Sequence, residues 1–201
     1  GLGLAGYTEG TALKHLSYTG KLTAKGGVGG ITCDCNSSTP VTDCEAKDIT
    51  IIATPTTNNQ CVGGLVANAK NSSLNNCYVS GTITVNSNTS YTGERVGGLV
   101  AMCSGTISEC ATDVTVSSAI SGSMVGGLVG NKQSGAITRC SSAGFVTSTG
   151  TDAYTGGLVA LANTSSSNIE DCYSTANVSG TKWSRSEERR VGKECRSRWS
   201  P

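Results

Sequence analysis

Short aliphatic runs broken by Gly, Ser, Asn and Thr recur along the whole chain, and no stretch carries apolar residues at i, i+3, i+4 and i+7 over helical length. The pattern predicts strands and turns. Three runs return in each unit. The first is a Gly-Gly-aliphatic box, at Gly29-Gly30-Ile31, Gly63-Gly64-Leu65, Gly97-Gly98-Leu99, Gly126-Gly127-Leu128 and Gly156-Gly157-Leu158. The second is an aliphatic-x-x-Cys step, from Val41 to Cys44, Leu74 to Cys77, Ile107 to Cys110, Ile137 to Cys140 and Ile169 to Cys172. The third is an alternating run such as Gly81-Thr82-Ile83-Thr84-Val85 or Val114-Thr115-Val116. A worn sixth copy opens the chain, with Gly3-Leu4-Ala5 as the box, Leu13 to Leu16 in place of the cysteine step, and Gly20-Lys21-Leu22-Thr23 as the third run.

Successive boxes begin 34, 34, 29 and 30 residues apart. Self-similarity at this period means a stacked array, in which each unit buries its apolar face against its neighbours. The expected fold class is all-β, a parallel β-helix (β-solenoid) of about six coils with three short strands per coil, over residues 1–180. Rungs about 4.8 Å apart make that a rod of about 29 Å.

Aligned positions then become ladders. One column holds Leu16, Cys44, Cys77, Cys110, Cys140 and Cys172, soft side chains suited to a narrow interior. Its neighbour holds His15, Asp43, Asn76, Glu109, Arg139 and Asp171, so cysteine faces in and the polar residue faces out. A third column is expected to read Thr23, Thr50, Thr84, Thr115, Thr147 and Ser179, beside inward Leu22, Ile49, Ile83, Val114, Val146 and Val178. The paired glycines mark a tight bend or a close approach between coils. Which box residue points inward is left open.

The series Val125-Gly126-Gly127-Leu128-Val129-Gly130, followed by Ile137 and Cys140, resembles the GLUG repeat of large bacterial surface proteins, including regions of some IgA-cleaving peptidases and filamentous-haemagglutinin-like adhesins. The resemblance runs from about Gly1 to Gly180. It implies an extracellular β-solenoid repeat region rather than a catalytic domain. The first copy lacks its cysteine, and the segment from Cys33 to Val41 is an insertion relative to the pattern.

Residues 185–201 break with this body. They contain no box and hold six basic and three acidic residues. This tail resembles the translation of a short-read sequencing adapter, and residues 181–201 are expected to be disordered and artefactual. Setting the tail aside moves the formal net charge from +1 for the chain to −2 for the body, which removes a basic patch as a reason to expect nucleic acid. These residues show no apolar run near membrane length and no signal-peptide pattern, so the chain is not placed by its own targeting. Repeats running to both ends imply a piece of a longer polypeptide.

Candidate chemistry is thin. The ladder cysteines recur about 4.8 Å apart, inside the Cα range for a disulfide, but their parallel side chains disfavour one. A bridge from Cys33 or Cys35 to Cys61 is left open. Zinc is disfavoured because Cys33-x-Cys35 has unusual spacing and His15 is the only histidine. The fingerprint-like Gly1-Leu2-Gly3-Leu4-Ala5-Gly6 has no acidic residue near twenty positions further on and is better explained as part of the first repeat. Glu170-Asp171 with Glu109 could be imagined as a glycosidase pair, yet same-column groups two coils apart follow from the solvated face of a stack. No catalytic, cofactor-binding or metal-ligating residue is nominated. The expected function is a non-catalytic extracellular or cell-surface module, a stalk or adhesin, whose partners would be glycoproteins or glycans of a host or neighbouring cell. The alternatives are a β-helix enzyme acting on polysaccharides and an ice-binding solenoid. The ice-binding reading rests on the threonine column, whose expected partner column of Lys21, Asp48, Thr82, Asp113, Phe145 and Asn177 spoils a flat lattice.

Overall fold

The computed structural model describes residues 1–86, 90–163, 168–181 and 183–185. Every described strand pairing is parallel, and the strands form four stacked sheets. In one coil the chain runs through Arg95–Gly97, Val100–Cys103, Ile107–Ser108 and Ala111–Ser118 before starting the next at Met124–Gly126. The parallel β-solenoid expected from the repeat is therefore present. Three of the sheets are six strands deep, so five full turns separate their first and last strands.

Each coil has four strands, not three, because the glycine box is a corner rather than a strand. Gly97 ends one strand and Val100 begins the next. The two glycines do different jobs. A Cβ on Gly97 would lie 2.0 Å from the Val100 carbonyl oxygen, within its own coil, whereas one on Gly98 would lie 1.9 Å from the Gly127 carbonyl oxygen of the following coil. The first glycine permits the bend and the second permits the stacking. The box residue facing inward is the aliphatic one: Ile31, Leu65, Leu99 and Leu128 are fully buried.

The long sheet corrects the expected register at two coils. Leu22, Ile51, Ile83, Val116, Val146 and Val178 form the inward column, so Ile51 and Val116 stand where Ile49 and Val114 were expected. Ile49 and Val114 are buried too, but they face Gly81 and Gly144 on adjacent coils. A slip of two residues keeps the same face inward, so alternation alone cannot distinguish Ile49 from Ile51 or Val114 from Val116. A bulge compounds the slip in the second coil. Ala46 pairs with Val79 and Ile49 with Gly81, so Lys47 and Asp48 oppose the single Ser80. Asp48 takes φ 52° there, and its N–H donates to Ser80 Oγ at 3.0 Å.

Trp183–Arg185 pairs in register with Tyr154–Gly156, beyond the boundary expected at residue 180. The remainder of the tail, 186–201, lies outside the described residues.

Candidate functional site

The cysteine column is buried as expected. Cys44, Cys77, Cys110, Cys140 and Cys172 are each no more than 2% exposed. All nine cysteines among the described residues are free thiols, so neither Cys33 nor Cys35 is bridged to Cys61. Burial pushes the thiols of Cys33, Cys35 and Cys61 up to about 11, which leaves them protonated and poorly nucleophilic at neutral pH. No three His, Cys, Asp or Glu side chains among the described residues converge on one point.

The polar neighbours of these cysteines share a backbone feature that side-chain patterning did not reveal. His15, Asp43, Asn76, Glu109, Arg139 and Asp171 all adopt the left-handed conformation, with φ between 49° and 55°. This residue makes the corner that turns the following cysteine inward. Asp and Asn at three of the six positions were the available signal, since both tolerate that conformation better than other side chains. All six are exposed. Arg139 Nη2 donates to Glu109 Oε1 at 2.7 Å, and Asn76 Nδ2 donates to Asp43 Oδ1 at 2.6 Å. Arg139 thus stands between Glu109 and Asp171 in the same column. A water and a sugar ring cannot sit between those two acids without displacing a paired guanidinium, which weakens the glycosidase reading.

The corrected register redraws the outward face of the long sheet. One column reads Thr23, Ile52, Thr84, Ser117, Thr147 and Ser179, and the next reads Lys21, Thr50, Thr82, Thr115, Phe145 and Asn177. Asp48 and Asp113 therefore drop out of the partner column. Lys21 and the exposed Phe145 still interrupt a uniform hydroxyl lattice. At one end of this face an open groove is lined by Thr84, Asn86, Ser117, Ala119, Thr147 and Thr149, and Ser117 Oγ lies 3.5 Å from Thr84 Oγ1.

Among the described residues two charged side chains are buried, and no motif in the sequence marks either one. Lys132 is fully buried, and its ammonium donates to the carbonyl oxygens of Gly105 and Ser134 beside Cys103 Sγ at 3.8 Å. Burial lowers its pKa, against the opposing pull of Cys103. Glu94 is fully buried between Gln60 and Ser123 in its column, and among the described residues neither carboxyl oxygen makes a well-aligned hydrogen bond, the Gln60 backbone being the nearest polar group that favours its charge. Burial pushes its carboxyl up to about 7, with the Gln60 backbone and the Arg95 guanidinium offsetting only part of the effect.

Between about 4.5 and about 7 the unfolded Glu94 carboxyl is ionised while the folded one is protonated, so the folded state binds more protons. Stability should therefore fall as pH rises through that window and level off above it. Glu94→Gln should remove the slope and gain up to roughly 3 kcal/mol at pH 8 relative to the parent, less to the extent that solvent screens the carboxylate. Urea melts at pH 5 and pH 8 check this, and an unchanged slope in the variant would assign the pH dependence to another group.

The model of the GLUG motif matches residues 58–84 and 151–179, which are two of the repeats described above. No curated protein matches the chain. Among solved structures, the crystal structure of a candidate immunoglobulin A1 protease from Bacteroides ovatus is similar, at 14% sequence identity and a TM-score of 0.55. The match covers 87% of this chain and 67% of that one. At that identity the likeness shows the solenoid fold alone.

Proposed function

We propose that this chain is a non-catalytic repeat module of a bacterial surface or secreted protein, serving as a stalk that also presents a shallow adhesive face. One observation carries the reading. The exposed polar residues of the long sheet and of the left-handed corner are laid out in columns along the stack, rather than converging on a cleft. Such a surface offers broad, repeated contact, the usual mode of a solenoid. The GLUG motifs and the solenoid neighbour support the surface setting. The hydroxyl-lined groove, with the exposed Phe145 two residues before its Thr147 on the same strand face, suits glycans or glycoproteins, since hydroxyl groups can pair with sugar hydroxyls and an exposed ring can stack on a sugar face.

The test is to display the chain on beads and measure binding to host glycoproteins and a glycan panel, with hydrolysis of the same carbohydrates assayed in parallel. Binding without turnover is the expected result. Turnover that disappears in Glu109→Gln or Asp171→Asn would replace this proposal with the enzyme reading. Thermal hysteresis without glycan binding would favour the ice-binding alternative.

A further inference from the structure

The five ladder cysteines occupy equivalent places on successive coils. The Sγ atoms of Cys44, Cys77, Cys110 and Cys140 each lie 3.2 Å from the carbonyl oxygen two residues earlier, and Cys172 Sγ lies 3.0 Å from its own. The thiols also lean toward the preceding coil. Cys44, Cys77 and Cys172 reach the carbonyl oxygens of Leu13, Val41 and Ile137 at 3.5, 3.6 and 3.6 Å. In the other direction, the N–H groups of Cys110 and Cys140 donate to the sulfurs of Cys140 and Cys172 at 3.4 and 3.3 Å. Repeated contacts of this kind mean that one sulfur maps onto the next by the rung translation, about 4.8 Å.

We propose that this ladder is a binding site for a soft, two-coordinate metal ion, with the mercuric ion as the species of matched charge, held linearly between the sulfurs of adjacent coils. Two metal–thiolate bonds of about 2.3 Å placed end to end span about 4.6 Å, close to the rung spacing. A disulfide would instead require the sulfurs to close to about 2.05 Å with a torsion near 90° across the bond, which parallel side chains on stacked rungs oppose. The same alignment suits a linear ion.

Charge selects the ion within the soft, thiophilic class. Binding breaks two S–H bonds, forms two metal–sulfur bonds and releases two protons to solvent, with no change of oxidation state. A mercuric ion and two thiolates make a neutral unit. A monovalent ion would leave a net negative charge among fully buried aliphatic side chains, where an unpaired charge is disfavoured. Each thiol has one proton to give and so serves one ion, which means that five thiols in a row hold two ions.

Ion retention should therefore depend on which rung is removed and not on how many cysteines remain. Removing the second or fourth rung leaves one adjacent pair able to bind, while removing the third leaves two pairs. The full chain would be equilibrated with mercuric ion in excess glutathione, which strips ions held by single thiols, and the retained ions counted by native mass spectrometry. Cys77→Ala and Cys140→Ala should each retain one ion fewer than the parent, and Cys110→Ala should retain as many as the parent. Cys77→Ser and Cys140→Ser repeat the measurement should an alanine variant fail to fold. X-ray absorption should show two sulfur neighbours at about 2.3 Å and no third. Loss of the same number of ions in all three positions, no loss in any, or a three-sulfur shell would overturn the proposal.

Discussion

Gly98→Ala is expected to prevent stable folding of the stack. A Cβ at this position would sit 1.9 Å from the Gly127 carbonyl oxygen, 3.0 Å from its carbon and 2.7 Å from Val114 Cγ2. The first two contacts are backbone atoms of the next coil, which cannot rotate away as a side chain would. Relief requires the two coils to separate, and separation breaks the N–H to carbonyl bond from Gly98 to Gly126, 3.0 Å long, together with its neighbours in the ladder. The loss should reach about 4 kcal/mol or more, the range reserved for severe overpacking of a core. Gly6→Ala supplies the control, because a Cβ there would meet nothing closer than 3.8 Å. Urea melts followed by circular dichroism should show the first variant unfolded or strongly shifted and the second unchanged. Equal midpoints would mean that the coils stack with more slack than these distances allow.

Cys110→Asp should cost about 3–5 kcal/mol, whereas Cys110→Ala should cost on the order of 1 kcal/mol. Cys110 is 1% exposed in the central coil, with cysteines above and below it. Alanine removes one sulfur and leaves a small void. Aspartate places a carboxylate where the nearby polar partners are the Ser108 carbonyl, which already accepts the thiol, and neighbouring thiols whose protons are tied to carbonyls. An acceptor-only group facing carbonyl oxygens gains little there, so it must either protonate or open the corner. Lowering the pH toward the aspartate pKa should recover part of the loss. Equal urea midpoints for the two variants would show that the column faces solvent.

How much of this was legible in the residues differs from element to element. The cysteine step gave both the repeat and its inward direction, because a soft side chain beside an alternating polar series has one physical reading in a stack. The glycine box announced a constraint but not its geometry. Only coordinates separate Gly97, which bends its own coil, from Gly98, which admits the next, and that distinction turns three expected strands into four. The Thr50 and Thr115 misplacement came from strands that carry two interchangeable inward residues. The left-handed corner was half visible in Asp43, Asn76 and Asp171, and was masked by Glu109 and Arg139, which resemble ordinary surface residues on a charged face. Lys132 and Glu94 gave no local signal.

The period, the strand character, the parallel stack and the buried cysteine column are all written in the residues. Those follow from repetition: when a unit of about 30 residues recurs, equivalent positions must stack, and each column inherits one environment. Tertiary structure decided the corners, the register of two coils and the burial of two charged side chains. Corners depend on backbone approach distances that glycine allows but does not dictate. Register depends on bulges, which a period-two pattern cannot count. The fate of Lys132 depends on the carbonyls of Gly105 and Ser134, one of them in the preceding coil, and the pairing of that carbonyl with this ammonium exists only once the rungs are stacked.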